Sequence, residues 1–348
     1  MREAIARAVW HGDGFGALLA RAALTPFEWV YGAASVAVGA ERARRAGRSL
    51  APTISVGNIS VGGTGKTPMA AWVAAQLRDR GRTPALLLRG YGEDEPLVHA
   101  KLNPDIPVIV DPNRRRGAAA ALARGATALV LDDGFQHRQM PRDADLVLVS
   151  ADQWHDVPAR LLPAGPFREP LSALRRATLV VVTRKMSSQA RASEIAALVS
   201  RAAPGVPTAV VHLAPEDLRA WSGGASDPLD ALRGQRIVAV SGIGAPDAFV
   251  GQLRAQGAEV RAESFDDHHA YTVRDLEMIG RLANTADRVV CTLKDAVKLG
   301  PRWPSSFPPL WYLPQVPVIE AGAAGLKALL DHVASLTMPT ASATAGPS

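Results

Sequence analysis

Ser60, Val61, Gly62, Gly63, Thr64, Gly65, Lys66 and Thr67 form a run that ends in Gly-Lys-Thr. These residue types at this spacing can bind a polyphosphate. Glycines let successive backbone N–H groups curl around phosphate oxygens without side-chain clash. Lys66 can reach the terminal phosphates, and the Thr67 hydroxyl can take a place on Mg²⁺. Ser60 stands where the usual pattern has its first glycine.

Carboxylates supply the next layer of chemistry. Ala128 to Gly134 reads as an apolar strand ending in Asp132 and Asp133. Beside a phosphate loop, such a strand end can present a carboxylate to Mg²⁺. Asp132 with Thr67 is therefore the candidate metal pair. Strand-ending Asp residues also form turns and helix caps. Arg89-Gly90-Tyr91-Gly92-Glu93-Asp94-Glu95-Pro96 follows another predicted strand. A carboxylate there could accept the proton of an attacking hydroxyl; an acidic surface turn is the alternative. Asp266-Asp267-His268-His269 offers a His that an Asp can position for proton transfer. No Cys or His cluster at metal-ligand spacing accompanies it, which argues against zinc. Arg168, in the proline-rich stretch Leu161–Pro170, could meet a phosphate through its planar fork. Lys294 and Lys298 follow the apolar run Arg288–Leu293 and bring two ammonium groups to a strand end, or simply begin a solvated helix.

Elements that could position these groups alternate along the chain, which predicts a mostly parallel α/β sheet. Thr53–Val56 reads as the strand before the loop, and Pro68–Arg80 as the helix after it. Further strands are predicted at Pro84–Leu88, Pro107–Val110, Ala128–Leu131, Leu146–Val149 and Leu179–Thr183. Helices fit Arg114–Arg124 and Ala190–Ala202. A boundary is expected in Leu218–Arg233, where Gly223 to Pro228 is loop-like. A second α/β unit follows, with strand Arg236–Val240, helix Pro246–Gln256, and strands near Glu259–Ala262 and Arg288–Thr292. The expected divisions are a helical segment 1–48, a phosphate-loop domain 49–220, a smaller α/β domain 221–336 and a disordered tail 337–348.

Composition narrows the partners. A net charge of +6 permits an anionic partner. Aromatics are only 5% and do not interleave with basic residues, so no nucleic-acid platform is indicated. The single cysteine, Cys291, excludes an internal disulfide framework and lies in an apolar run that reads as a buried strand. Gly16 to Ala40 is largely apolar but interrupted by Arg21, Pro26 and Glu28, and four arginines follow at 42, 44, 45 and 48. Its clean run, Trp29–Ala40, is too short to span a bilayer. Composition leaves two readings: an interfacial anchor or a helix packed on the protein's own core.

Taken in order, these motifs resemble the tetraacyldisaccharide 4'-kinase family, the lipid A 4'-kinases. The resemblance rests on Ser55-Val56-Gly57-Asn58 before the loop, Ser60 itself, Arg89-Gly90-Tyr91-Gly92, Asp94-Glu95-Pro96 and Asp132-Asp133-Gly134-Phe135-Gln136-His137. It continues through Leu162 to Pro166 with Arg168-Glu169, Gly242-Ile243-Gly244, Asp267-His268 and Lys294 to Lys298. It covers about residues 15 to 330. It implies transfer of the γ-phosphate of ATP, with Mg²⁺, to the 4'-hydroxyl of tetraacyldisaccharide 1-phosphate. It assigns Lys66 and the residues Ser60 to Thr67 to the nucleotide, and Thr67, Asp132 and Asp133 to the metal. It makes Asp94 the catalytic base and His268 its assistant from the second domain. It also makes 49–220 the kinase domain and turns segment 1–48 into a membrane-associated helix that dips into the cytoplasmic face of the inner membrane; a monomer is expected.

One feature departs from the family: only Glu93 separates Gly92 from Asp94, so Glu93 or Glu95 could serve as the carboxylate instead. Competing readings are a phosphate-loop GTPase or partitioning-type ATPase, a nucleotide-binding scaffold without turnover, and a kinase for another lipid or sugar. The Asn-Lys-x-Asp guanine signature is absent. The carboxylates Asp94, Asp132 and Asp133 argue against a scaffold.

Overall fold

The computed structural model describes residues 6, 8–10, 12–47, 49–90, 92, 94–154 and 159–338. Glu93 and most of the tail expected to be disordered, from 339 on, lie outside the described residues. In chain order the first elements are α1 (Phe15–Arg44), β1 (Thr53–Asn58), α2 (Lys66–Arg78), β2 (Pro84–Leu88), α3 (Asp94–Leu102), β3 (Val108–Val110), α4 (Arg114–Ala123) and β4 (Ala128–Asp132). Next come β5 (Ala144–Ser150), β6 (Leu179–Arg184), α5 (Gln189–Ala202), β7 (Thr208–Pro215), β8 (Leu218–Ala220), β9 (Ser226–Asp227), β10 (Arg236–Ser241) and α6 (Pro246–Ala255). The chain continues through β11 (Glu259–Ser264), α7 (Val273–Ala283), β12 (Arg288–Thr292), α8 (Leu293–Leu299), β13 (Leu310–Leu313), β14 (Gln315–Ala321) and α9 (Ala323–Ser335).

The fold class is α/β, as the alternating pattern requires. Two sheets form. The first has eight strands in the order β14-β7-β6-β5-β1-β4-β2-β3, all parallel except β14. β1 is central and every residue in it is buried; its polar Thr53 and Asn58 make hydrogen bonds, to the Ala51 carbonyl and to Thr64 Oγ1. Helix α2 buries Met69, Ala70, Val73, Ala74 and Leu77 against this sheet. The second sheet has six strands in the order β11-β10-β12-β13-β8-β9.

The chain then returns to the first sheet. β14 pairs antiparallel with β7, and α9 adds Leu326, Leu329, Leu330 and Val333 to the core that holds Ile54 and Val73. Each buried side chain of this size contributes about 1.5–3 kcal/mol. The range 221–336 therefore contributes elements to both sheets. Asp94 to Pro96 form the first turn of α3 rather than a surface turn. A proline is tolerated there because first-turn N–H groups have no intrahelical partner.

Helix α1 runs for 30 residues and none of them is buried. Phe15, Leu18, Leu19, Phe27, Trp29, Val30, Val36 and Val38 are exposed. Among the described residues no helix is long and apolar enough to cross a membrane. Glu28, which interrupts the apolar run, turns toward the body. It accepts hydrogen bonds from Arg160 Nε at 3.0 Å and from the Leu161 N–H at 2.7 Å.

Candidate active site

The phosphate loop leaves the end of β1 and enters α2 at Lys66. Asn58 Nδ2 donates to Thr64 Oγ1 at 2.9 Å, and Thr183 Oγ1 donates to the Thr64 carbonyl at 2.9 Å. The loop is thus tied to its own strand and to the end of β6. Gly65 caps the helix with φ +89°, a left-handed conformation suited to glycine. A side chain there would put Cβ 2.2 Å from Leu213 Cδ1. The Ser60 position forms an isolated bridge with Phe167, so the proline-rich stretch lies along the loop entrance.

Asp132 and Asp133 lie at the end of β4, the parallel neighbour of β1. Lys66 Nζ lies 3.8 Å from Asp133 Oδ1, and Arg168 Nη1 donates to Asp133 Oδ2 at 3.1 Å. Burial pushes the Asp133 carboxyl up, but the Lys66 and Arg168 cations outweigh it and hold it below its ordinary value. Arg168, a phosphate candidate from sequence, is thus placed on a carboxylate. Asp132 is nearly sealed. Its Oδ2 lies 2.8 Å from His99 Nε2, its carbonyl accepts from Arg114 Nη2 at 2.6 Å, and its Oδ1 has no hydrogen-bond partner.

Asp94 opens α3 and His268 follows β11, so they come from elements on different sheets. His268 Nδ1 lies 3.0 Å from Asp94 Oδ1. Lys294 and Lys298, on α8, each place Nζ 3.8 Å from Asp94 Oδ2. The structure therefore unites Asp94, His268 and both lysines. Among the described acidic residues of this turn, Asp94 is the one within hydrogen-bond distance of His268. Glu95 faces the cavity, where burial and then the Asp132 charge push its carboxyl up. Among the described residues only Asp133 and His268 combine a side chain with a positive φ, 51° and 59°. Such strain gathers where a side chain must be aimed.

Many of these groups face one cavity of about 820 Å³. The loop lines it from Gly62 to Thr67 but not at Ser60 and Val61, together with Asp132, Asp133, His268 and Lys294. Asp94 lies one layer behind, 3% exposed. Ile243, Gly244 and Phe249 close one part of the cavity, and Tyr31, Val38 and Arg42 from α1 line another.

Sequence reasoning missed several participants. His99 sits on α3, fully buried, and nothing local marks it. Arg114 stands at the start of α4, and its burial pushes the guanidinium down while Asp132 and Asp133 oppose the shift. Lys185, at the end of β6, lines the cavity near Gly63. Burial pushes its ammonium down and Asp152 opposes. A basic residue ending a parallel strand was the one available signal.

Comparison with known proteins agrees with this geometry. The family model described as tetraacyldisaccharide-1-P 4'-kinase matches residues 20–94 and 93–335. A tetraacyldisaccharide 4'-kinase of Anaeromyxobacter dehalogenans (strain 2CP-C) is 39% identical over 325 residues, covering 84% of this chain and 86% of the relative. One from Xanthomonas campestris pv. campestris (strain 8004) is 33% identical over 304 residues, covering 82% and 83%. The crystal structure of the "apo" form of LpxK from Aquifex aeolicus in complex with ATP superposes with a TM-score of 0.68 at 27% identity. It covers 90% of this chain and 99% of that one. A phosphate loop facing a cross-sheet Asp–His pair, and relatives that match along nearly the whole chain, lead to one assignment: the chain belongs to the tetraacyldisaccharide 4'-kinase family.

Proposed function

We propose that this protein transfers the γ-phosphoryl group of ATP to the 4'-hydroxyl of tetraacyldisaccharide 1-phosphate. The observation that carries the reading is the junction in one cavity of Lys66 and Asp133 with the Asp94–His268 pair. Lys66 draws on the negative charge of the terminal phosphates, and the loop backbone orients them. Asp94 takes the proton of the 4'-hydroxyl as its oxygen bonds to phosphorus and the bond to the ADP oxygen breaks.

The residues present fit Mg²⁺. Asp132 Oδ1 is buried without a partner, and Thr67 and Asp133 line the same cavity. Hard oxygen donors are what this ion takes. Among the described residues no three His, Cys, Asp or Glu form a metal cluster, so phosphate oxygens would complete the coordination. When bound, Mg²⁺ neutralises charge on the β- and γ-phosphate oxygens.

The acceptor enters beside α1, whose Tyr31 and Val38 line the cavity while Phe15, Leu18, Leu19, Phe27, Trp29, Val30 and Val36 are exposed. This supports a monotopic seat on the cytoplasmic face of the inner membrane, with the exposed Arg44 and Arg45 at the anionic surface. Both sides of the site come from one chain, which supports a monomer. The test is incubation with γ-labelled ATP, Mg²⁺ and tetraacyldisaccharide 1-phosphate in detergent, for wild type and Lys66→Ala. Label should appear in the lipid with wild type only. Labelled inorganic phosphate with none in the lipid would favour a membrane ATPase.

A further inference from the structure

Lys294 stands where it decides which nitrogen of His268 carries a proton. Its Nζ donates to Asp267 Oδ1 at 3.0 Å and lies 3.2 Å from His268 Nε2. An ammonium has three donors and no lone pair. At 3.2 Å it can bond Nε2 only when that nitrogen is bare. The ring proton then sits on Nδ1, which faces Asp94 Oδ1 at 3.0 Å. Asp267 does not compete for Nε2, because its Oδ2 is 3.9 Å away, beyond hydrogen-bond range. The same Asp267 accepts the His268 backbone N–H at 3.0 Å, so one carboxylate holds both the turn and the lysine.

We propose that Lys294 sets the tautomer of His268, making it a fixed N–H donor to Asp94 and leaving Asp94 Oδ2 as the proton-accepting oxygen. The proposal rests on the kinase reading above. Oδ2 is buried and has no hydrogen-bond partner. Lys298, the other cation facing it, is held away at 3.8 Å and donates instead to the His269 carbonyl at 3.1 Å. His268 is then a positioning residue that aims the base, and Lys294 acts through it.

The experiment is ¹H–¹⁵N spectroscopy of ¹⁵N-histidine-labelled protein at a pH where the ring is neutral, with His268→Asn identifying the signal. Wild type should show the Nδ1–H pattern. Lys294→Met keeps the chain length but removes the donor. It should convert His268 to the Nε2–H pattern and lower kcat for label transfer about 10–100-fold, with the KM for ATP within about twofold. Lys294→Arg, which keeps a cationic donor, should retain Nδ1–H; Lys294→Gln replaces the Met variant if that one does not fold. An Nε2–H ring in wild type, or an unchanged Nδ1–H in Lys294→Met, overturns the proposal. Absence of label transfer by wild type, with the tautomer switch intact, would instead sink the kinase reading alone.

Discussion

Replacing one carboxylate should release the amino-terminal helix while the body stays folded. Glu28→Ala is the perturbation. Helix α1 buries no residue fully, so its docking depends on a few contacts. Glu28 accepts from Arg160 Nε and the Leu161 N–H, and Arg160 Nη2 also donates to Thr25 Oγ1 at 2.6 Å. Trp10 Nε1 adds a bond to the Pro163 carbonyl at 2.9 Å. A hydrogen bond to a charged group contributes about 1.5–3 kcal/mol, and an N–H left without an acceptor costs about 1 kcal/mol or more. The Arg160 side chain is 29% exposed, so solvent screens part of its share. The loss comes to about 2–4 kcal/mol, or roughly 30- to 1,000-fold in the docking equilibrium. Hydrogen exchange read by mass spectrometry, without lipid, checks this. Amides of 15–44 should exchange faster by up to that factor, while those of β1 and β4 keep their protection. Unchanged exchange in α1, or equal acceleration in β1, would refute the reasoning.

Three further outcomes follow from the same geometry. Gly65→Ala forces a side chain into a left-handed backbone against Leu213. Urea denaturation should show a loss of about 2–4 kcal/mol, and ATP binding should fail. His99→Leu removes the hydrogen-bond partner of Asp132 Oδ2. The Mg²⁺ concentration giving half-maximal transfer should rise about 10–100-fold, the usual effect of losing an outer-shell partner; an unchanged value would remove His99 from the site. Burial, with the Arg114, Arg42, Arg89 and Arg142 cations, pushes His137 down from 6.5 to about 4. Its folded form is neutral where its unfolded form already takes a proton. Its contribution to stability is therefore full above pH 6.5 and is lost progressively as pH falls toward 4. The urea midpoint should fall more between pH 7 and 5 in wild type than in His137→Gln, and equal slopes would contradict this.

What sequence revealed was what local chemistry fixes. The glycines, Lys66 and Thr67 are contiguous, and a buried strand on one side with a helix on the other announces the loop. Asp132 and Asp133 end an apolar strand, so their edge could be inferred. The Asp94–His268 pairing came through family resemblance, because 174 positions separate the two and no local pattern joins them. His99 was invisible for a related reason: its partner Asp132 is 33 positions away, and a lone His on a helix has no signature. β14 was also missed. Pro317 sits within it, which ordinarily argues against a strand, but an edge strand tolerates proline. Glu28 looked like an interruption of an apolar helix, and only the fold shows that it is the helix's tether.

The most direct test of the account is Asp94→Asn. The substitution keeps the shape beside His268 and removes only the basic oxygen. In single-turnover transfer of label from ATP to tetraacyldisaccharide 1-phosphate, the rate should fall about 10²–10⁴-fold. The Kd for ATP should stay within about threefold, because Asp94 touches no part of the phosphate loop. A variant that keeps more than about a tenth of the wild-type rate would contradict Asp94 as the base.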